Sequence, residues 1–167
     1  LSDSSGNLLF YSNGWEIFNK NHSLVPGWST SNLPSGTRNI QQGALLLPIN
    51  DSLIYFISRD VASTSGYGYS VKLWGLNPIA NNGLGSIVSS DTIIGDSSAH
   101  ILAAVRHADG KRWWMITHYT RSDVFVKFLI EENGTISRFD EQVGAVLPPL
   151  FTDFPNPLIF NFQGNRF

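Results

Sequence analysis

Four histidines, His22, His100, His107 and His118, are the side chains of this sequence best suited to hold a metal or carry a proton. No H-x-H or H-E-x-x-H pair occurs, and no carboxylate stands beside them at ligand spacing. His107 and His118 end successive strand-like runs and can approach across a hairpin, but a structural role is the expectation and no metal is assigned. Asp3-Ser4-Ser5-Gly6-Asn7 reads as half of a calcium loop without its closing bidentate glutamate, hence as a turn. Asp96-Ser97-Ser98 and Asp140-Glu141 are equally thin. There is no cysteine, which removes disulfides, thiolate nucleophiles and cysteine-ligated metals together. No G-x-S-x-G or S-x-x-K is present, and the S-x-D-x-G-x-T-W box of sialidase propellers is missing. Carboxylates able to serve glycoside hydrolysis are Asp60, Asp123, Glu131, Glu132, Asp140 and Glu141, nearly all in turn-like or edge positions. No catalytic residue and no cofactor is assigned.

Binding has better candidates. Trp15, Trp28 and Tyr67 stand in the loop-like contexts NGW, PGW and SGYGY, where aromatic rings stack on sugars or grip partner loops. Trp74, Trp113 and Trp114 lie in strand-like runs and read as packing residues.

The elements that position these groups repeat. LLFYSNG (8–14), IYFISRD (54–60) and WWMITHY (113–119) each carry four apolar or aromatic residues and then Ser12, Ser58 or Thr117. Each follows a turn rich in Asn, Asp or Gly: Ser5-Gly6-Asn7, Asn50-Asp51-Ser52 and Ala108-Asp109-Gly110. ALLLPI (44–49) and HILAAVRH (100–107) precede the last two turns. In the first copy that strand is lost to the start of the chain. EIFNKN (16–21), YSVKLWGL (69–76) and VFVKFLIEENG (124–134) follow the central strands. GSIVSSDTII (85–94) and GTISRFD (134–140) read as fourth, edge strands. No apolar period of 3.6 is sustained, so no helix is expected. Four-stranded antiparallel meanders recurring about every fifty residues suit propeller blades; a β-sandwich is the alternative. The expectation is an all-β, propeller-like array over residues 1–167, about three blades beginning part-way through one, with 150–167 unassigned. The usual ring needs four to eight blades, so further blades would come from the rest of a longer chain or from another chain.

The aligned residues beyond the apolar runs are Asn13-Gly14, Arg59-Asp60 and His118-Tyr119. If the blades are equivalent, these reach one rim. With Trp15 and Tyr67, the residues Asn13, Arg59, Asp60, His118 and Tyr119 then form the expected binding set, suited to a polar ligand.

Composition narrows the partners. The 167 residues carry a formal net charge of −2, and only 14% are charged. That disfavours nucleic acid or an anionic membrane, which call for a basic face. No apolar run reaches the length of a membrane span, and no signal peptide is visible at LSDSSGNLLF. A chain starting at Leu1 reads as a processed or excised segment.

The wording of the sequence also resembles a family. GNLLFYSNGWEIFNKNHSLVPG (6–27), LLLPINDSLIYFIS (45–58), Tyr69-Ser70-Val71, Gly83-Leu84-Gly85 and ILAAVRHADGKRWWMITH (101–118) occur in that order. They are similar to the propeller-like N-terminal regions of large surface proteins of gliding, Bacteroidetes-type bacteria, over roughly residues 1–140. Members of that family carry a type IX secretion sorting domain at the far C-terminus, and none is seen in these residues. The aspartate of the family's Y-T-D-G is Asn13 here. The resemblance implies a secreted or cell-surface module with a structural or adhesive role, meeting polysaccharide or protein partners without membrane insertion. A carbohydrate-active enzyme on the same scaffold is the competing expectation. It also implies O-glycosylation of D-[ST]-aliphatic motifs, which Asp51-Ser52-Leu53 and Asp91-Thr92-Ile93 match. N-x-[ST] sequons at Asn21, Asn50 and Asn133 would matter only in a eukaryotic secretory route.

Overall fold

The computed structural model describes residues 1–29, 44–61 and 69–146; Tyr67, the 150–167 stretch and the side chains of Asp60 and His100 lie outside the described residues. The described chain is all-β, as expected. Its only helical segment is one turn, Ala80–Gly83, interrupted by Asn81 and Asn82 at positive φ. A short hairpin joins β1 (Phe10–Ser12) to β2 (Ile17–Asn19). An antiparallel meander then runs through β3 (Ala44–Asn50), β4 (Leu53–Val61), β5 (Tyr69–Asn77), β6 (Ser86–Arg106), β7 (Trp113–Tyr119), β8 (Val124–Ile130) and β9 (Ile136–Gln142).

Turn chemistry sets the strand ends. Asn50, Asp109 and Asn133 each accept a backbone N–H two residues on, at 2.9 Å, which closes the β3–β4, β6–β7 and β8–β9 turns. Asp3 does the same for Ser5 and Asn7. Hydrogen bonds from Asn7 hold its carboxyl below the ordinary range. The half calcium loop is therefore a self-contained turn.

The long strand β6 is the central strand of one seven-stranded sheet and serves its two halves in turn. It pairs with β5 up to Ile94 and with β7 from Leu102 onward, and Ser98 pairs with both Tyr69 and Tyr119. The sequence predicts two separate strands here, at 85–94 and 100–107; one strand instead runs through both, its ladder irregular on either side of Ser98. A straight β6 would extend roughly 70 Å and carry the β3–β4 and β6–β7 turns to opposite ends. Instead Trp113 Nε1 donates to Pro48 O at 2.9 Å, and Asn50 Nδ2 donates to Glu132 O at 2.8 Å. The sheet therefore folds over near Ser98. β3, β4, β5 and the first half of β6 make one four-stranded layer, and the second half of β6, β7, β8 and β9 make the next.

Two apolar cores separate three layers. Tyr55, Ile57, Val71, Leu73, Met115, Val126 and Phe128 fill the space between the second and third. Phe10, Ile17, Val25 and Trp28 pack on the other face of β4 and β5, against Ile54, Phe56, Trp74 and Leu76. Alternation explains the division, since successive side chains of β4 point to opposite faces. The first layer has four segments in miniature. Ser2 bridges Leu8 and Phe18 bridges Leu24, flanking the hairpin. Leu9 N–H donates to Leu1 O at 3.0 Å, and no strand precedes β1 among the described residues.

The alignment of the second and third copies holds in three dimensions. Ser58 and Thr117 face the preceding layer, and Arg59 and His118 lie on the opposite face, Arg59 toward the third layer and His118 outward. The first copy is one residue out of phase. Phe10, aligned with Phe56, faces the following layer, whereas Phe56 faces the preceding one. A one-residue slip turns every side chain of a strand over, so Asn13 is not the counterpart of Arg59 and His118. No closed ring forms among the described residues.

Candidate functional site

Strand direction sends β1, β4 and β7 toward the same end of the stack, because their starting ends are tied together around Pro48, Asn50 and Gly134. At the far end, among the described residues of the expected set, Arg59 and His118 are buried while Asn13 is held within its own turn. Asn13 spends its amide within its own turn, accepting from Trp15 N at 3.0 Å and Glu16 N at 2.8 Å and donating to Glu16 Oε2 at 3.0 Å. Trp15 stays half-buried on that turn. Trp28 leaves the candidate list, because its ring packs 5.5 Å from Phe56 and 5.0 Å from Trp74, inside the core.

Arg59 sits between the second and third layers at 1% exposure. Its Nη1 donates to Ala99 O at 3.1 Å, and its guanidinium lies 5.9 Å from the Tyr69 ring centroid. Burial pulls its pKa down to about 10, against the pull of the Tyr69 hydroxyl, so it remains a cation at neutral pH. Beside it Ser98 Oγ and Thr117 Oγ1 are 3.0 Å apart, and Thr117 donates to Ile101 O at 2.6 Å. These bonds, together with that of Arg59, pin β6 where it folds over. The serine or threonine that ends each apolar run is thus, in the third copy, a clamp on this bend.

His118 is also buried, at 1% exposure, on the outward face of the third layer. Its Nδ1 lies 2.5 Å from Tyr119 O, and since a carbonyl only accepts, Nδ1 carries the proton. Phe125 meets the ring edge-on at 4.5 Å. Burial lowers its pKa below the ordinary value of 6.5, opposed in part by the Tyr119 carbonyl and Asp123. The sign follows directly. As pH falls through about 6.5, the unfolded chain takes up a proton that the folded chain resists, so stability falls. A His118→Gln variant is expected to lose less stability than the parent between pH 7.5 and 5.5, read from urea midpoints. Equal pH dependences would show that burial of His118 carries no proton linkage.

What remains open to solvent at this end is a cluster on β7 and β9. Arg138 donates to both carboxylate oxygens of Asp140, from Nε at 2.8 Å and Nη2 at 2.7 Å, and also to the Tyr119 hydroxyl. Its guanidinium lies 5.6 Å from the centroid of the Tyr119 ring. The side chains of Arg138 and Asp140 are 40% and 41% exposed. The Arg138 hydrogen bonds hold the Asp140 carboxyl below its ordinary range. Of the described residues of the expected set, Tyr119 joins this cluster. Arg138 escaped notice, although the alternation in Ser137-Arg138-Phe139-Asp140 places Arg138 and Asp140 on one strand face.

Asp60 lies outside the described side chains, and the other carboxylates weighed for catalysis are engaged on the surface. Glu131 pairs with Arg112, Glu132 with Lys111 and Glu141 with Lys127, while Asp123 accepts from Gln142. His107 accepts from Asp109 N–H at 3.2 Å and lies against Arg112, inside its turn. No group of three or more metal-ligating side chains occurs among the described residues. At the opposite end of the stack, the first two layers leave a cleft of about 640 Å³ lined by Phe10, Lys20, Asp51, Ile54 and Ile79 among others. No sequence signal marks it, because its walls come from five separate stretches of the chain. Comparison of the chain with protein-family models, curated proteins and solved structures finds no match.

Proposed function

We propose that this chain forms three consecutive blades of a β-propeller and acts as a non-enzymatic secreted or cell-surface module that binds a polar partner, a glycan or a protein loop, at its strand-end rim. The blade reading is supported by the face-to-face stacking of two four-stranded layers and a two-stranded hairpin, with corresponding strands of the two larger layers running the same way. The binding reading is carried by one observation: at the rim Tyr119, Arg138 and Asp140 form a pre-ordered, solvent-open cluster. Its paired donors and acceptors suit vicinal hydroxyls or a peptide backbone, and it needs no rearrangement before contact. Asp140 argues against hydrolysis at this place, because a general acid needs a raised pKa and Arg138 lowers it. The family resemblance and the low charge support the surface setting.

A glycan array run with parallel hydrolysis assays tests this reading. Retention of a glycan is expected, with loss of most of the signal in Arg138→Ala and Tyr119→Ala and no product released. Turnover of any polysaccharide, abolished by a single carboxylate substitution, would replace the binding reading with the enzymatic one.

A further inference from the structure

The hydrogen bonds inside the rim cluster leave a definite set of groups unspent. Arg138 gives Nε and Nη2 to Asp140, and Nη2 also reaches the Tyr119 hydroxyl. Its Nη1 donors have no partner among the described residues. The Tyr119 hydroxyl keeps its own hydrogen to donate, and each Asp140 oxygen, having accepted one bond, keeps a lone pair. The row continues along β9. Asp140 and Gln142 follow Arg138 at alternate positions, hence on one strand face about 7 Å apart, opposite Phe128, Val126 and Val124 of β8. Gln142 Nε2 donates to Asp123 Oδ2 at 2.7 Å, which leaves Gln142 Oε1 and Asp123 Oδ1 without partners among the described residues. Arg138, Asp140 and Gln142 are exposed and Asp123 is half-buried.

Both ends of the row therefore call for a donor and an acceptor side by side, and neither end offers an unpaired cation. Asp140 already neutralises Arg138, Asp123 adds a second carboxylate, and Arg121 of the β7–β8 turn has a partner of its own. Resting on the rim reading above, we propose that the row from Arg138 to Gln142 binds uncharged saccharides and discriminates against those that carry carboxylates. A sugar hydroxyl donates and accepts alike. Neighbouring hydroxyls thus satisfy Arg138 Nη1 and Asp140 together, and those of the next ring satisfy Gln142 and Asp123. A peptide N–H only donates and a peptide C=O only accepts, so a polypeptide needs a matching register that a saccharide does not. A uronate gains a bond from Arg138 Nη1 but brings its charge beside Asp140 and Asp123.

Isothermal titration of the whole chain with matched tetrasaccharides tests this: mannose, glucose and galactose oligomers, each against the uronic acid oligomer of the same linkage. Saturable binding of a neutral oligomer is expected, about two- to fivefold tighter than its uronate, the range of an exposed charge contact. Asp140→Asn keeps the shape and removes the charge. It should weaken the neutral oligomer and strengthen the uronate, because Arg138 is then no longer neutralised. Arg138→Ala should weaken both. Glu141→Gln, on the other face of the same strand, should change neither. A uronate bound as tightly as its neutral counterpart, or a preference unmoved by Asp140→Asn, would overturn the proposal and leave the rim as a binding site. Absence of binding to every oligomer would also overturn it, and a peptide array then separates the causes. Peptides retained by the parent and lost in Arg138→Ala keep the rim reading with a protein partner; no retention removes both.

Discussion

Replacing Phe56 by alanine is expected to lower the free energy of unfolding by about 3–5 kcal/mol, the range for a fully buried aromatic side chain. Phe56 has no exposed surface and sits where the first two layers meet, with Trp28 at 5.5 Å and Trp74 at 5.4 Å. Its removal subtracts the transfer energy of the ring and leaves a cavity between three aromatic or apolar neighbours that cannot all collapse into it. Phe139→Ala is the control. That ring is 47% exposed on β9, and its loss should cost under about 1 kcal/mol. Chemical denaturation of the two variants gives the comparison. Similar losses in both would mean that the hairpin of Phe10–Ser12 and Ile17–Asn19 does not seal the second layer.

Gly134→Ala should be far more damaging than Gly110→Ala, costing about 2–4 kcal/mol. Gly134 and Gly110 occupy matching positions, each donating its N–H to the carbonyl three residues back at 2.9 Å, with φ of 86° and 73°. Alanine at either position meets the left-handed penalty of about 1–2 kcal/mol. Only at Gly134 would the new methyl group collide, at 2.8 Å from Leu53 Cδ2 and 2.9 Å from the Tyr55 hydroxyl. That hydroxyl cannot withdraw without losing its 2.7 Å bond to Gly134 O. At Gly110 nothing lies within 4 Å. The difference between the two variants, measured by thermal or urea unfolding, isolates the contact between the second and third layers. Equal costs would remove Gly134 as a close-packing point between them.

Much of the local structure was legible. Asn50, Asp109 and Asn133 are turn formers whose side chains bond their own backbone, an interaction within two residues that a linear sequence displays in full. The apolar runs at 54–57 and 113–116 mark central strands for the same reason. Their phase was also readable: Ser58 and Thr117 do share one facing, and Arg59 and His118 the other. The candidate site was less so. Polar residues after an apolar run look like a solvent-facing rim, yet Arg59 and His118 are both buried. Burial depends on what folds over a position, and for Arg59 that is Ala99, forty residues away.

The sequence by itself determined the all-β class, the turns and the alternation of each strand, because all of these arise from neighbours along the chain. Tertiary structure decided the rest. The fold in β6 near Ser98, the one-residue slip of the first copy, the choice of Tyr119, Arg138 and Asp140 as the open cluster, and the cleft between Phe10 and Ile79 all rest on contacts between distant residues. Alternation states which side chains share a face of a sheet. Only packing between sheets states what that face meets.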